Sequence, residues 1–83
     1  MQTADGQLTD TRVKVYLRGE CLLRIDEGED FAYLDVPDQG RHTEEAVTLG
    51  AIALSAGWET IEDIDGIEPH DGFTRYWMVR IME

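Results

Sequence analysis

Residues 43–57 read TEEAVTLGAIALSAG, and the fold turns on how this stretch is read. Thr43 has a hydroxyl suited to the free N–H groups at a helix start. Glu44 and Glu45 follow in the first turn, where the helix dipole favours negative charge. Residues 46–56 carry no charge, and Gly57 supplies the left-handed residue on which helices commonly end. The spacing predicts a helix over 44–56 with Thr43 as its N-cap. Val47, Ala51 and Leu54 form one stripe, with Leu49 and Ile52 beside it. Ala46, Gly50, Ala53 and Gly57 form a second stripe, of small residues. A helix that is apolar nearly all round is buried on more than one side. One face is expected on a sheet, and the small-residue face (Ala46, Gly50, Ala53) is a candidate dimer face.

On both sides of this helix the apolar period changes from helical to two. Residues 12–18, RVKVYLR, alternate, with Val13, Val15 and Leu17 on one face and Lys14, Tyr16 and Arg18 on the other. That pattern predicts a half-buried strand. Gly19-Glu20 marks a turn, and residues 21–26, CLLRID, form a second strand. Residues 27–30, EGED, form a hairpin loop in which Gly28 is expected to take the positive φ. Residues 31–36, FAYLDV, form a third strand that Pro37 ends, because proline has no N–H to donate. After the helix, Trp58 to about Ile64 reads as a short strand followed by a loop. Residues 73–82, FTRYWMVRIM, form the last strand. The order is β-β-β-α-β-β. The expected fold is α+β, a two-layer sandwich of an antiparallel sheet with one helix on a face. Residues 1–10 read as a loose arm and 11–83 as a single domain.

The chain has 83 residues, 42% of them hydrophobic. A chain of this length buries only about 60–65% of its unfolded surface and leaves no room for a cleft between domains. Seven basic and 18 acidic side chains give a net charge of −11. That field repels nucleic acid and anionic membranes and attracts a basic partner. The start, MQTADGQLTD, lacks the positive and apolar regions of a signal peptide. No apolar run approaches the roughly 20 residues that span a bilayer. A cytoplasmic location is expected, with no membrane partner and no direct nucleic-acid contact.

Catalytic constellations are missing. Cys21 falls in an apolar strand, where cysteine packs as an inert residue, and Ser55 has no base near it in sequence. There is no nucleotide-binding glycine loop and no nucleophile elbow. His42 and His70 lie far apart and form no transition-metal signature. The run IEDIDGIEPHDG suggests calcium. From Asp63, however, the third position is Asp65, the fifth is Ile67, and Gly66 arrives too early for an EF-hand. A solvated acidic loop outweighs a looser cation site at Asp63, Asp65 and Glu68. No enzyme activity, metal or cofactor is expected. Phe31, Trp58 and Trp77 are expected in the core, with Tyr33 and Tyr76 outside as contact anchors.

What remains is the acid itself. Asp26, Glu27, Glu29 and Asp30 cluster around the first hairpin loop. Glu59, Glu62, Asp63, Asp65, Glu68 and Asp71 follow the helix, with Ile61, Ile64 and Ile67 interleaved at every third position and no Lys or Arg among them. Carboxylates on a rigid sheet imitate the phosphates of a nucleic-acid backbone, so a basic nucleic-acid-binding groove is a natural target. These ten acids and Tyr76 are the candidate partner-binding residues.

The stretch AVTLGAIALSAGWETIEDIDG, followed by FTRYWMVRIM, resembles the small acidic anti-CRISPR proteins of phages and mobile elements. Several of those combine a β-meander, an alanine-rich helix and a closing hairpin. The resemblance is one of architecture and composition and assigns no residue roles. It implies an inhibitor bound to a subunit of a CRISPR-Cas effector, often blocking its DNA path, in the host bacterial cell. The run FAYLDVPDQGRHTEEA is similar to HicB-type antitoxins at Pro37, Asp38, Thr43, Glu44, Glu45 and Ala46. Their longer loop and DNA-binding tail have no counterpart here. That resemblance implies a cognate-partner module that neutralises a small basic toxin. A third expectation is a structural homo-oligomeric module built on the small-residue face.

Overall fold

The computed structural model describes residues 12–81, so the arm expected over residues 1–10 lies outside the described residues. Its elements are β1 (Val13–Arg18), β2 (Cys21–Asp26), β3 (Phe31–Pro37), α1 (Thr43–Ser55), β4 (Trp58–Thr60), β5 (Ile67–His70) and β6 (Phe73–Arg80), with a 3-10 turn at Ile64–Gly66. All strands pair antiparallel in one sheet of order β1-β2-β3-β6-β4, and β5 also pairs with β6. The fold is therefore the expected two-layer α+β sandwich, with one strand more than the sequence pattern suggested. The extra strand, β5, lies where a loop was expected. A proline disfavours a central strand, but Pro69 sits in an edge strand, where an absent donor does no harm. The connection Asp71-Gly72, with Gly72 at φ +94°, folds β5 back onto β6 as a tight hairpin.

Register decides which face of each strand meets the helix. Cys21, Leu23 and Ile25 of β2 share a face with Ala32 and Leu34 of β3 and with Met78 of β6. Together with Trp58 of β4 and Leu49 and Ala53 of α1 they form the buried core. Leu49 is fully buried, which stabilises the fold by about 2–3 kcal/mol. In β2, β3 and β6 the alternate row carries a charge at Arg24, Asp35 or Arg75, and that row faces away from the helix.

β1 reverses the expectation drawn from its pattern. Tyr16 pairs with Leu23 and packs against the core from the helix side. Val15 and Leu17 therefore lie on the open face, 53% and 60% exposed. Phe31 and Trp77 are also on the open face rather than in the core. There Phe31 stacks on Tyr33, and Trp77 meets both rings edge-on at 5.2–6.1 Å. Arg75 lies 3.8 Å from the Tyr33 ring centroid and donates two hydrogen bonds to Asp35 at 2.8 and 3.0 Å.

The helix also departs from the reading in two ways. His42, not Thr43, occupies the cap position, and no side chain caps the first free N–H groups. His42 Nε2 lies 2.8 Å from the Gln39 carbonyl, which fixes the entry to the helix. The two helix stripes exchange roles. Ala53 is 1% exposed and Ala46 packs on the core, so these two members of the expected dimer face look inward. Val47 and Leu54 look outward, 65% and 55% exposed. Small residues are what let this helix lie close on the sheet. Gly57, at φ +94°, ends the helix as expected. In the first hairpin the positive φ belongs to Asp30 (+62°) and not to Gly28.

Candidate protein-binding groove

β4 and β5 are laid end to end along the same edge of β6. Trp58–Thr60 pair with Met78–Arg80, and Ile67–His70 pair with Phe73–Tyr76. Between them the chain leaves the sheet and returns. Ile61 N–H still donates to the Trp77 carbonyl at 3.2 Å, and Gly66 N–H donates to the Asp63 carbonyl at 2.9 Å. A Cβ at Gly66 would lie 2.5 Å from the Ile61 Cβ, so the base of this excursion is closed by direct packing of Gly66 on Ile61. Glu62, Asp63, Ile64 and Asp65 are all exposed, Ile64 by 78%. Among the described residues no cation pairs with Glu59, Glu62, Asp63, Asp65 or Asp71.

The helix packs on β1, β2, β3 and β4, and beside it runs a groove. One hollow of about 430 Å³ is lined by Leu34, Val36, Ala46, Val47, Thr60 and Tyr76. A second of about 380 Å³ takes Val47, Gly50, Ala51 and Leu54 from the helix and Glu59, Thr60 and Glu62 from the sheet edge, with Trp58 and Met78 also in its lining. Val47 and Thr60 line both hollows, so the two lie side by side and are described together as a groove along the helix. One wall is aliphatic and exposed. The other carries the Glu62 carboxylate, which among the described residues has no cation of its own.

The groove gathers Glu62, Gly50, Ala46 and Tyr76 from the residues expected to bind, and Asp63 and Asp65 stand on the excursion next to it; Tyr76, expected outside, packs against the core from the helix side, and Glu59, paired with Val79, alternates with Trp58 and Thr60 and so directs its carboxylate to the open face. The other acids are placed differently. Asp26 is buried, accepts the Glu29 N–H at 2.8 Å and lies 3.5 Å from Arg24 Nη2, so it builds the β2–β3 turn. Asp30 holds Arg80 Nε at 2.6 Å, while Glu27 and Glu29 are exposed at that same turn and line no part of the groove. Glu68 belongs to the open face, where it accepts the Trp77 indole N–H at 2.8 Å and lies 3.3 Å from His70 Nε2 without hydrogen-bond geometry. Asp71 is in the β5–β6 turn.

Sequence reasoning missed Val47, Ala51 and Leu54 as surface residues, because an apolar stripe is ordinarily the buried one. The signal available was the companion stripe. Ala46 and Ala53 are small enough to bring the helix close to the sheet, with Leu49 filling the space between them. Cys21 is fully buried, and its thiol is pushed above the ordinary value first by that burial, then by the charges of Glu45 and Glu20. Among the described residues no group of three or more His, Cys, Asp or Glu side chains is arranged to hold a metal ion. No described helix is long and apolar enough to cross a membrane. Comparison with protein-family models, with curated proteins and with solved structures found no match to this chain.

Proposed function

We propose that the protein is a non-enzymatic inhibitor that binds a basic surface of another protein, a CRISPR-Cas effector subunit, through the groove between α1 and β4. The supporting observation is that exposed aliphatic side chains and the unpaired Glu62 carboxylate line the same groove. A basic amphipathic segment fits such a site. Its apolar side lies along Val47, Ala51 and Leu54, and its Lys or Arg heads reach Glu62 and Asp63. The apolar wall supplies affinity, and the −11 net charge speeds encounter and selects the sign of the partner. A nucleic-acid-binding channel is basic for the same electrostatic reason, so occupying it displaces DNA. This is where the resemblance to anti-CRISPR proteins joins the geometry.

The test is capture from nuclease-treated lysate of a bacterium that carries CRISPR systems and toxin–antitoxin pairs, with salt elution of the bound material. Recovery of a Cas subunit supports the proposal. A small basic toxin points to the antitoxin reading instead. Glu62→Lys, Asp63→Lys and Asp65→Lys together should weaken capture by at least about tenfold without unfolding the chain, since exposed charges act on association more than on stability. Capture that survives this change removes the groove from the account.

A further inference from the structure

The sheet has two edges, and they are guarded differently. An unguarded edge presents a row of free backbone N–H and C=O groups on which another strand can pair. The β4–β5 edge is interrupted by the 61–66 excursion, and Pro69 removes a donor from β5. The β1 edge has neither device and is guarded by charge alone, Lys14 and Arg18 on its helix side, which turns away a strand that brings no acid to meet them. Its six residues, VKVYLR, contain no proline and no glycine, and among the described residues only β2 pairs with them.

β1 also carries a local concentration of positive charge, with Glu20 and Glu45 the carboxylates near its Arg18 end. Lys14 and Arg18 are two of the chain's seven basic residues, and β1 itself carries no acid. Among the described residues neither has a carboxylate at ion-pair distance, and the hydrogen bond that Arg18 makes is to the neighbouring Leu17 carbonyl, at 2.8 Å. Register puts Lys14, Tyr16 and Arg18 on the helix side and Val13, Val15 and Leu17 on the open side. The apolar row at an edge has no neighbour beyond it, which is why Val15 and Leu17 remain more than half exposed.

We infer that β1 is a strand-addition site for an acidic, extended peptide segment of another protein. Pairing in register places alternate side chains of the added strand beside Lys14 and Arg18 on one face and beside Val15 and Leu17 on the other. The segment that fits alternates acidic and β-branched residues. A second copy of this chain fits poorly. Two antiparallel β1 edges would bring Lys14 and Arg18 of one copy against those of the other, and each copy carries −11 overall. This site is on the opposite edge from the groove and does not depend on the function proposed there.

The probes are two six-residue peptides, the length of β1, one alternating valine with glutamate and the other valine with lysine. Binding is followed by the amide signals of Val13–Arg18 and by fluorescence anisotropy of the labelled peptides. The glutamate peptide should bind about tenfold more tightly than the lysine peptide, although the net charge of the protein favours the reverse. Lys14→Glu with Arg18→Glu should invert that order. Both positions are exposed, and unchanged signals from Leu49 and Trp58 report that the fold is intact. The inference is overturned if the β1 amides do not move at millimolar glutamate peptide, or if both peptides bind alike. It is equally overturned if the preference survives the charge reversal. Movement of the β1 amides with protein concentration alone would give the edge to a second copy and also overturn it.

Discussion

Gly66→Ala is the sharpest probe of whether the acidic excursion is a built part of the fold. The added methyl would lie 2.5 Å from Ile61 Cβ, 3.0 Å from its Cγ2 and 3.2 Å from its carbonyl oxygen. The first distance is one that real carbon atoms do not tolerate, and Ile61 cannot swing away at Cβ, since that atom is fixed to the backbone. Either the Ile61 backbone bond to Trp77 lengthens or the 64–66 turn opens. Forcing a methyl into such a contact costs about 1–3 kcal/mol. Against this, alanine lowers the entropy of the unfolded chain relative to glycine and returns about 0.4–1 kcal/mol. The net expectation is a loss of about 1–2 kcal/mol, and each kcal/mol lowers the melting temperature by about 4–8 °C in a domain of this size. Gly50→Ala is the control. It lies in the middle of α1, and a Cβ there meets nothing within 4 Å. It should stabilise the fold by about 0.5–1 kcal/mol. Urea unfolding of the three proteins measures both differences. If Gly66→Ala proves neutral or stabilising, the excursion yields freely and the reasoning that treats its carboxylates as held in position is refuted.

Leu49→Ala removes the helix side chain most deeply set in the core and should cost about 2–5 kcal/mol, read as a fall in the urea midpoint. Total stability for 83 residues is about 4–12 kcal/mol, so partial unfolding at room temperature is an acceptable outcome and an unchanged midpoint is not. Arg75→Lys keeps the charge but loses the two-pronged bond to Asp35 and the flat stack on Tyr33, so stability should fall by about 1 kcal/mol and the near-ultraviolet signal of Tyr33 and Trp77 should change. Cys21 should resist a thiol reagent until the chain unfolds. Its folded thiol ionises above the ordinary value of 9.0, so the stability it contributes is fully present below that pH and is lost as pH rises past it toward the folded value. Urea midpoints at neutral and alkaline pH should diverge less in Cys21→Ala than in the parent.

The sequence disclosed most of the architecture because charge marks the outer row of most strands. Arg24, Asp35 and Arg75 each identify the row that cannot face a helix, and those assignments agree across β2, β3 and β6. β1 misled because its charged row is the inner one. Lys14 and Arg18 lie on the helix side of an edge strand, where long side chains reach water past the end of the layer, while Tyr16 between them supplies the core contact. The helix misled for a related reason. Distance of approach, and not hydrophobicity, selected Ala46 and Ala53 for the sheet side, and composition alone ranks Val47 and Leu54 above them. Of the candidate site, the acids after the helix could be read directly, but the groove could not. It depends on β4 pairing with the far end of β6, residues distant along the chain that no local pattern brings together, on the same edge that β5 takes as a hairpin.

That shared edge makes the segment between β4 and β5 exchangeable in principle. The chain departs from β6 beside Trp77 and rejoins it beside Tyr76, so the two posts stay in place whatever is strung between them. Ile61 and Gly66 have to be retained, since they close the base. The side chains of residues 62–65 are exposed, and a graft of different length or charge at those positions would leave the strand pairing on both sides of it in place.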